Sequence, residues 1–387
     1  MAALAAFFLA LASQGLTAWT LGFTAPANLV RPVIAAVVAL LTLFFNQAIL
    51  DALPSRLHVA LLSTGMWIQC LKTFDDLCLS RLSFEGVSPT FTKRASFGVS
   101  NLWNMRGVGT RKQISQIPPW SSHAPSLVPS RSQELARHAR NAIVSYLILG
   151  VFAAQPPPNP NMISPQKEHL LTRIGKITPE EAIFRFFATF GFWLNTFCVI
   201  HLINSAFSLL YLSLNLYPVE MLPQIWGSLS DAYSVRRFWG NFWHQTLRRH
   251  LTSLSDFLVH GVLHMPKGLV SRYCKLIVCF FISGALHFPA DMALGISAKE
   301  TNVINYFLTT ALVIMCEDGV QHAFRGVQGT WSRWFGYLWV MFYMYLMTPS
   351  WAYPAARVVK PGDQLVSFSV IKQFIHYIRH HIHAFSH

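Results

Sequence analysis

Two histidines, and the residues spaced around them, carry the strongest chemical signal in this sequence. His244 closes a dense aromatic run, Phe238-Trp239-Gly240-Asn241-Phe242-Trp243-His244, which follows Arg236 and Arg237. His287 closes an apolar stretch through Ser283-Gly284-Ala285-Leu286. Neutral imidazole can take a proton from a hydroxyl at physiological pH, and few other side chains can. A hydroxyl acceptor attacking a thioester needs such a base. An ionisable group at membrane depth is expensive, which makes His287 a functional candidate. Ser283 and Gly284 are small, so a second backbone or a substrate can approach one turn before it. A plainer reading also exists: a histidine near a helix end can hydrogen-bond a carbonyl and do nothing else. His244 can likewise be a headgroup-facing ring in an aromatic belt, and Asn241 a helix cap. In the functional reading, one of these two holds a substrate carbonyl or orients the base.

The elements that position these residues must sit in or on a bilayer. The chain has 387 residues, 53% of them hydrophobic and 12% charged, where a soluble domain carries about 25% charge. The expected class is therefore all-α, a polytopic bundle of about eight transmembrane helices. The spans fall at 2–23, 29–50, 57–79, 141–154 with its flanks, 183–217, 269–287, 303–315 with its extension, and 334–351. Lys72, Asp75 and Asp76 interrupt the third. The fifth is long enough for one tilted helix or two broken ones. Residues 1–80 form N-terminal membrane helices, 81–140 a basic loop, 141–351 the catalytic membrane core and 352–387 an amphipathic tail. The aromatic run with Trp239 and Trp243 reads as an interfacial element, its rings at headgroup depth.

The net charge of +14 is read as topology-setting and lipid-facing, not as a nucleic-acid footprint. The excess of Lys and Arg over residues 80–140 places that loop in the cytosol and the N-terminus in the lumen. The six cysteines form no CxxC pair and read as packing residues. The apolar N-terminus lacks a basic leader and reads as a retained span. The last residues, 368–387, read as a helix lying on the surface. No Gly-rich phosphate loop supports ATP or NAD use.

The aromatic run followed, some forty residues on, by an apolar helix ending in Ser-Gly-x-x-His resembles the membrane-bound O-acyltransferase family. It is most similar to the wax synthase-like branch, and within it to fungal acetyltransferases of terpenoid and meroterpenoid pathways. Asn104-Met105-Arg106-Gly107-Val108-Gly109-Thr110 with Gln116-Ile117-Pro118, and Asp75 to Leu82 before it, fit that branch. The resemblance covers most of residues 74–351. It implies a helix bundle enclosing a tunnel, with acyl-CoA entering from the cytosol and a lipophilic alcohol from the membrane. It also implies direct transfer with acetyl-CoA as co-substrate, no bound cofactor and no metal. His287 matches the catalytic histidine. His244 stands where many relatives have asparagine, which leaves Asn241 as a second source of the hydrogen bond. Arg236, Arg237, Trp239, Trp243 and Ser283 are candidate substrate contacts. Arg106 and Arg248, with the arginine pair, are candidates for the CoA phosphates. The expected setting is a multi-pass protein of the endoplasmic reticulum, with other enzymes of its pathway as partners.

Other readings follow from other residues. A long-chain wax-ester synthase would share these features. His260-Gly261-Val262-Leu263-His264 has the spacing that puts two imidazoles on one helix face. With the run His376 to His381 it resembles the boxes of di-iron desaturases and hydroxylases, although no third box appears. A transporter or receptor would fit the span count alone.

Overall fold

Backbone groups in hydrocarbon must bond within their own segment, so an apolar chain of this kind has to fold as helices. The computed structural model describes residues 1–86, 90–120, 127–324, 330–360, 363, 366, 369–371 and 373. Among these there are helices, turns and loops and no strand. The main helices are α1 (Ala2–Phe23), α2 (Val30–Ala52), α3 (Arg56–Phe74), α4 (Phe91–Asn101), α5 (Arg131–Ala153) and α6 (Pro179–Ser213). They continue with the single turn α7 (Val235–Arg237), α8 (Arg248–Asp256), α9 (Leu269–Leu294), α10 (Val303–Ala323) and α11 (Thr330–Val358).

Among the described residues five helices, α1, α2, α6, α9 and α10, are long and apolar enough to cross a membrane. The other three expected spans fall on α3, α5 and α11, which are not among the five. The long apolar stretch over 183–217 resolves into one unbroken helix, α6. Thr178 caps it by accepting from the Glu181 amide, and Pro179 opens its first turn. The surface helix expected over 368–387 lies, apart from residues 369–371 and 373, outside the described residues.

The chain forms two compact units. One comprises Met1–Pro119 and Pro223–Tyr343, the other Trp120–Leu222 and Met344–His387. In the second, α5 packs on α6. There Arg185 is fully buried and donates to the carbonyls of Lys167, Glu168, Tyr345 and Leu346. In the first, α1 packs on α2 and α4, and α9 packs on α3, α8 and α10. Its apolar centre includes Phe45, Ile49, Val59, Met66 and Ala293.

The charges that interrupt the third span have a structural use. Helix α3 ends at Phe74, and the chain widens into a π-helical turn, Asp75–Leu79. Asp75 accepts from His250 Nδ1–H at 2.7 Å, Ser80 Oγ at 2.7 Å and Ser253 Oγ at 2.6 Å. Asp76 pairs with Lys72 and with Arg249. Every one of these charges is buried. Two carboxylates against two cations cancel, which is what burial of such a cluster requires. The network ties α8 to the end of α3.

Candidate active site

The aromatic run is built on two short helical turns. Ser234 Oγ caps the short turn α7 by accepting from the Arg237 amide. Glu317 of α10 accepts from the amides of Val235 at 2.8 Å and Arg236 at 2.9 Å. A carboxylate at a helix N-terminus is favourable because the unpaired amides point at it. The chain then widens into a π-helical turn, Phe238–Phe242, and leaves it extended at Trp243. Such turns re-aim side chains and recur at functional sites. Here the turn precedes His244.

A loop from residue 223 runs beside this segment. The Gly227 amide donates to Phe242 O at 3.0 Å, and the Gln245 amide donates to Ile225 O at 3.1 Å. Arg106 fixes the start of that loop by donating to the carbonyls of Pro223 and Gln224. It is buried, and burial lowers its guanidinium to about 10. Asn104 shapes the turn that presents it, bonding the Val108 amide and carbonyl at 2.8 Å each. Gly107 sits at φ +65° in that turn, a conformation that glycine takes without strain.

His287 lies within α9, and its Nδ1–H donates to Ser283 O at 2.7 Å. That bond sets the tautomer and makes Nε2 the basic nitrogen of the neutral ring. Gly284 allows α10 close to α9: a Cβ there would meet Ile304 Cα at 3.0 Å and Phe307 Cβ at 3.4 Å. The approach brings the Phe307 ring to 5.0 Å from the His287 ring, tilted by 32°.

The two histidine regions meet through a chain of rings. Phe307 lies 5.8 Å from Trp239, Trp239 lies 6.1 Å from Trp243, and Trp243 lies 5.6 Å from His244. Trp226 closes on His244 edge-on at 5.6 Å. His244 Nδ1 bonds Thr246 Oγ1 at 2.6 Å. Burial pushes the His244 imidazole down to about 3, and the neighbouring His287 adds to the effect. Two histidines some forty residues apart in sequence therefore share one electrostatic environment. His244 is neutral at physiological pH and suited to hydrogen bonding instead of carrying charge.

Not every candidate residue is drawn into that arrangement. Asn241 is half-buried on the same π-helical turn. Ser283 contributes its carbonyl to His287. Arg236 forms a two-bond pair with Asp318. Arg237 stacks over Tyr233 at 4.6 Å, lies 3.4 Å from Asp231 and keeps 40% of its side chain exposed. Arg248 donates to Gly240 O and to the side-chain oxygens of Gln116 and Gln245. Arg106, Arg236 and Arg248 thus hold the aromatic segment in place. Glu317 and Asp318 were not singled out in the sequence; acidic residues late in an apolar helix were the available signal.

The His260/His264 pair does not share a helix face. Its helical turn ends at Val262, and His264 follows in the left-handed region at φ +50°. The second histidine run, 376–381, lies outside the described residues. The donors of Asp75, Asp76 and His250 do lie within 4.8 Å of one another. Both carboxylates are already neutralised by Lys72 and Arg249, so a divalent cation would have to displace bonded cations.

Fold and site together define an all-α membrane protein with a pair of imidazoles joined through an aromatic cluster. Residues 222–309, which contain Asn241, His244 and His287, match the model of the Membrane bound O-acyl transferase family. The segment that carries both histidines is thus similar to this family. It is 33% identical to Acetyltransferase atnC of Arthrinium sp over 70% of this chain and 65% of the relative. It is 31% identical to Acetyltransferase pyr8 of Aspergillus fumigatus over 70% of this chain and 66% of that protein. With Acetyltransferase ataH of Aspergillus terreus it shares 29% identity over 72% of this chain and 95% of the relative. The chain thus spans just under two thirds of the length of the first two. No solved structure matches it.

Proposed function

We propose that this chain is an acyl-CoA-dependent O-acyltransferase. It transfers acetyl from acetyl-CoA to the hydroxyl of a lipophilic acceptor, of terpenoid or meroterpenoid type, at the endoplasmic reticulum membrane. The observation that carries the proposal is His287 with its Nδ1–H committed to Ser283 O, linked by packed rings to a neutral His244. The names of the relatives, each an acetyltransferase, favour acetyl over a longer acyl group.

In the proposed step, the acceptor oxygen forms a bond to the thioester carbonyl carbon as its proton passes to His287 Nε2. The C–S bond then breaks, and the imidazolium returns the proton to the CoA thiolate. The products are an ester and free CoA, and no covalent acyl-enzyme forms. His244 or Asn241 holds the thioester oxygen as negative charge develops there, where a buried donor is worth more than in water. The Trp239 and Trp243 rings line the approach and exclude water, which would otherwise compete as acceptor. Arg237 is the best placed of the four candidate arginines to meet a CoA phosphate, since much of its side chain is exposed.

The test is mass spectrometry of membranes that express the chain, supplied with acetyl-CoA and a panel of terpenoid alcohols. The expected result is one alcohol gaining the mass of an acetyl group, with release of CoA. Formation of long-chain esters only would make it a wax-ester synthase. Failure to form any ester with any acyl-CoA would overturn the acyltransferase reading.

A further inference from the structure

Immediately past His287, α9 walls a cavity of about 270 Å³ that it shares with α2 and α3. Phe288, Pro289 and Met292 come from α9, Asn46 from α2, and Ser63 and Trp67 from α3. The size is just below the ~300–1,000 Å³ of small-molecule sites, and the lining is mostly apolar, as such sites are. Two of its wall residues carry an anomaly. Asn46 Oδ1 and Trp67 Nε1 are buried and have no hydrogen-bond partner among the described residues. A buried polar atom left unpaired is costly, and each such atom calls for an explanation.

The pair is chemically selective. Asn46 Oδ1 only accepts, and the indole N–H only donates. A hydroxyl, of an alcohol or of water, can satisfy both from a single atom, its O–H donating to Asn46 while its oxygen accepts from Trp67. A ketone or ether cannot serve Asn46, and an ammonium cannot serve Trp67. A hydrocarbon serves neither.

We infer that the cavity between α2, α3 and α9 binds part of the lipophilic acceptor, with a hydroxyl other than the one acylated held between Asn46 and Trp67 and carbon skeleton against Phe288, Pro289 and Met292. The inference rests on the acyltransferase reading for the use of that acceptor, but binding itself does not require turnover. The site lies next to His287 in sequence and brings α2 and α3 into substrate selection. Both helices precede the segment that matches the family model, residues 222–309.

The experiment uses the full chain in lipid nanodiscs and a diazirine derivative of geraniol as photolabel, with labelled positions read by peptide mass spectrometry. Label is expected on the α2, α3 or α9 segments that wall the cavity. Excess geraniol should compete it away, and the hydrocarbon analogue myrcene should not. Trp67→Phe keeps the ring and removes the donor, and Asn46→Leu keeps the shape and removes the acceptor. Each should weaken hydroxyl-dependent labelling roughly five- to tenfold, the loss of about one hydrogen bond. Where transfer is measurable, each should raise KM for the alcohol by a similar factor and leave KM for acetyl-CoA unchanged. Label elsewhere, equal competition by myrcene, or unchanged labelling in both variants would overturn the site. Labelling as described in a protein that transfers no acyl group would keep the site and overturn the acyltransferase reading instead.

Discussion

His250 and His287 are both imidazoles on helices of the same unit, and their surroundings could hardly differ more. His250 is fully buried, and its Nδ1–H donates to Asp75, whose other oxygen takes two serine hydroxyls. Lys72 and Arg249 complete a closed set of charges. His287 donates to a neutral acceptor, Ser283 O, and faces aromatic rings leading to His244. The first arrangement locks a ring into a network whose members depend on one another. The second sets the tautomer through a neutral carbonyl and surrounds the ring with aromatic neighbours. A structural histidine needs the former and a general base the latter.

The sharpest way to break this contrast is to open the charge network. Asp75→Ala leaves His250, Ser80 and Ser253 without their shared acceptor and unbalances Lys72 and Arg249. It should cost about 3–5 kcal/mol of stability, the usual penalty for breaking a buried ion network. Thermal unfolding of the detergent-solubilised protein would show it as loss of yield and a much lower midpoint. A normal midpoint would mean that the network is solvated.

A smaller effect comes from pH. In the unfolded chain the His244 ring titrates near 6.5, while in the fold it stays neutral down to about pH 3. As pH falls through this window, the unfolded state takes up the proton first. Stability therefore drops, by up to ~1.4 kcal/mol per pH unit for this one group. His244→Gln should flatten the slope of stability against pH between about 6.5 and 3 by that amount. An identical slope in the variant would place His244 in water. Burial lowers His250 in the same direction, so the comparison must be made between wild type and variant.

The smallest effect is expected at the rim. Arg237→Ala should raise KM for acetyl-CoA roughly two- to fivefold with kcat little changed, as for loss of one exposed charge contact. An unchanged KM would return Arg237 to its stacking on Tyr233.

What could be read from the chain follows the physics of each signal. Composition and apolar run length sufficed for an all-α membrane fold, because hydrocarbon allows the backbone few alternatives. The continuity of α6 was not legible, since length alone fits one helix or two. His244 and His287 stood out as ionisable groups among aromatic and apolar neighbours. Their joining through Trp243, Trp239 and Phe307 was hidden, because it depends on α10 closing on Gly284. Lys72, Asp75 and Asp76 looked like a defect in a span, and their partners Arg249 and His250 lie far along the chain. For Arg106, Arg236 and Arg248 the sequence shows charge and conceals the carbonyl and carboxylate partners each has in the fold.

The central claim is that His287 is the base, and one measurement addresses it directly: kcat for acetyl transfer by purified His287→Ala, normalised to folded protein by its thermal midpoint. Removing a positioned base costs about 10²–10⁴-fold, so the account predicts a loss in that range at a midpoint close to wild type. A variant with a wild-type midpoint that keeps more than about a tenth of normal kcat would contradict it, since a base worth so little is below the usual range.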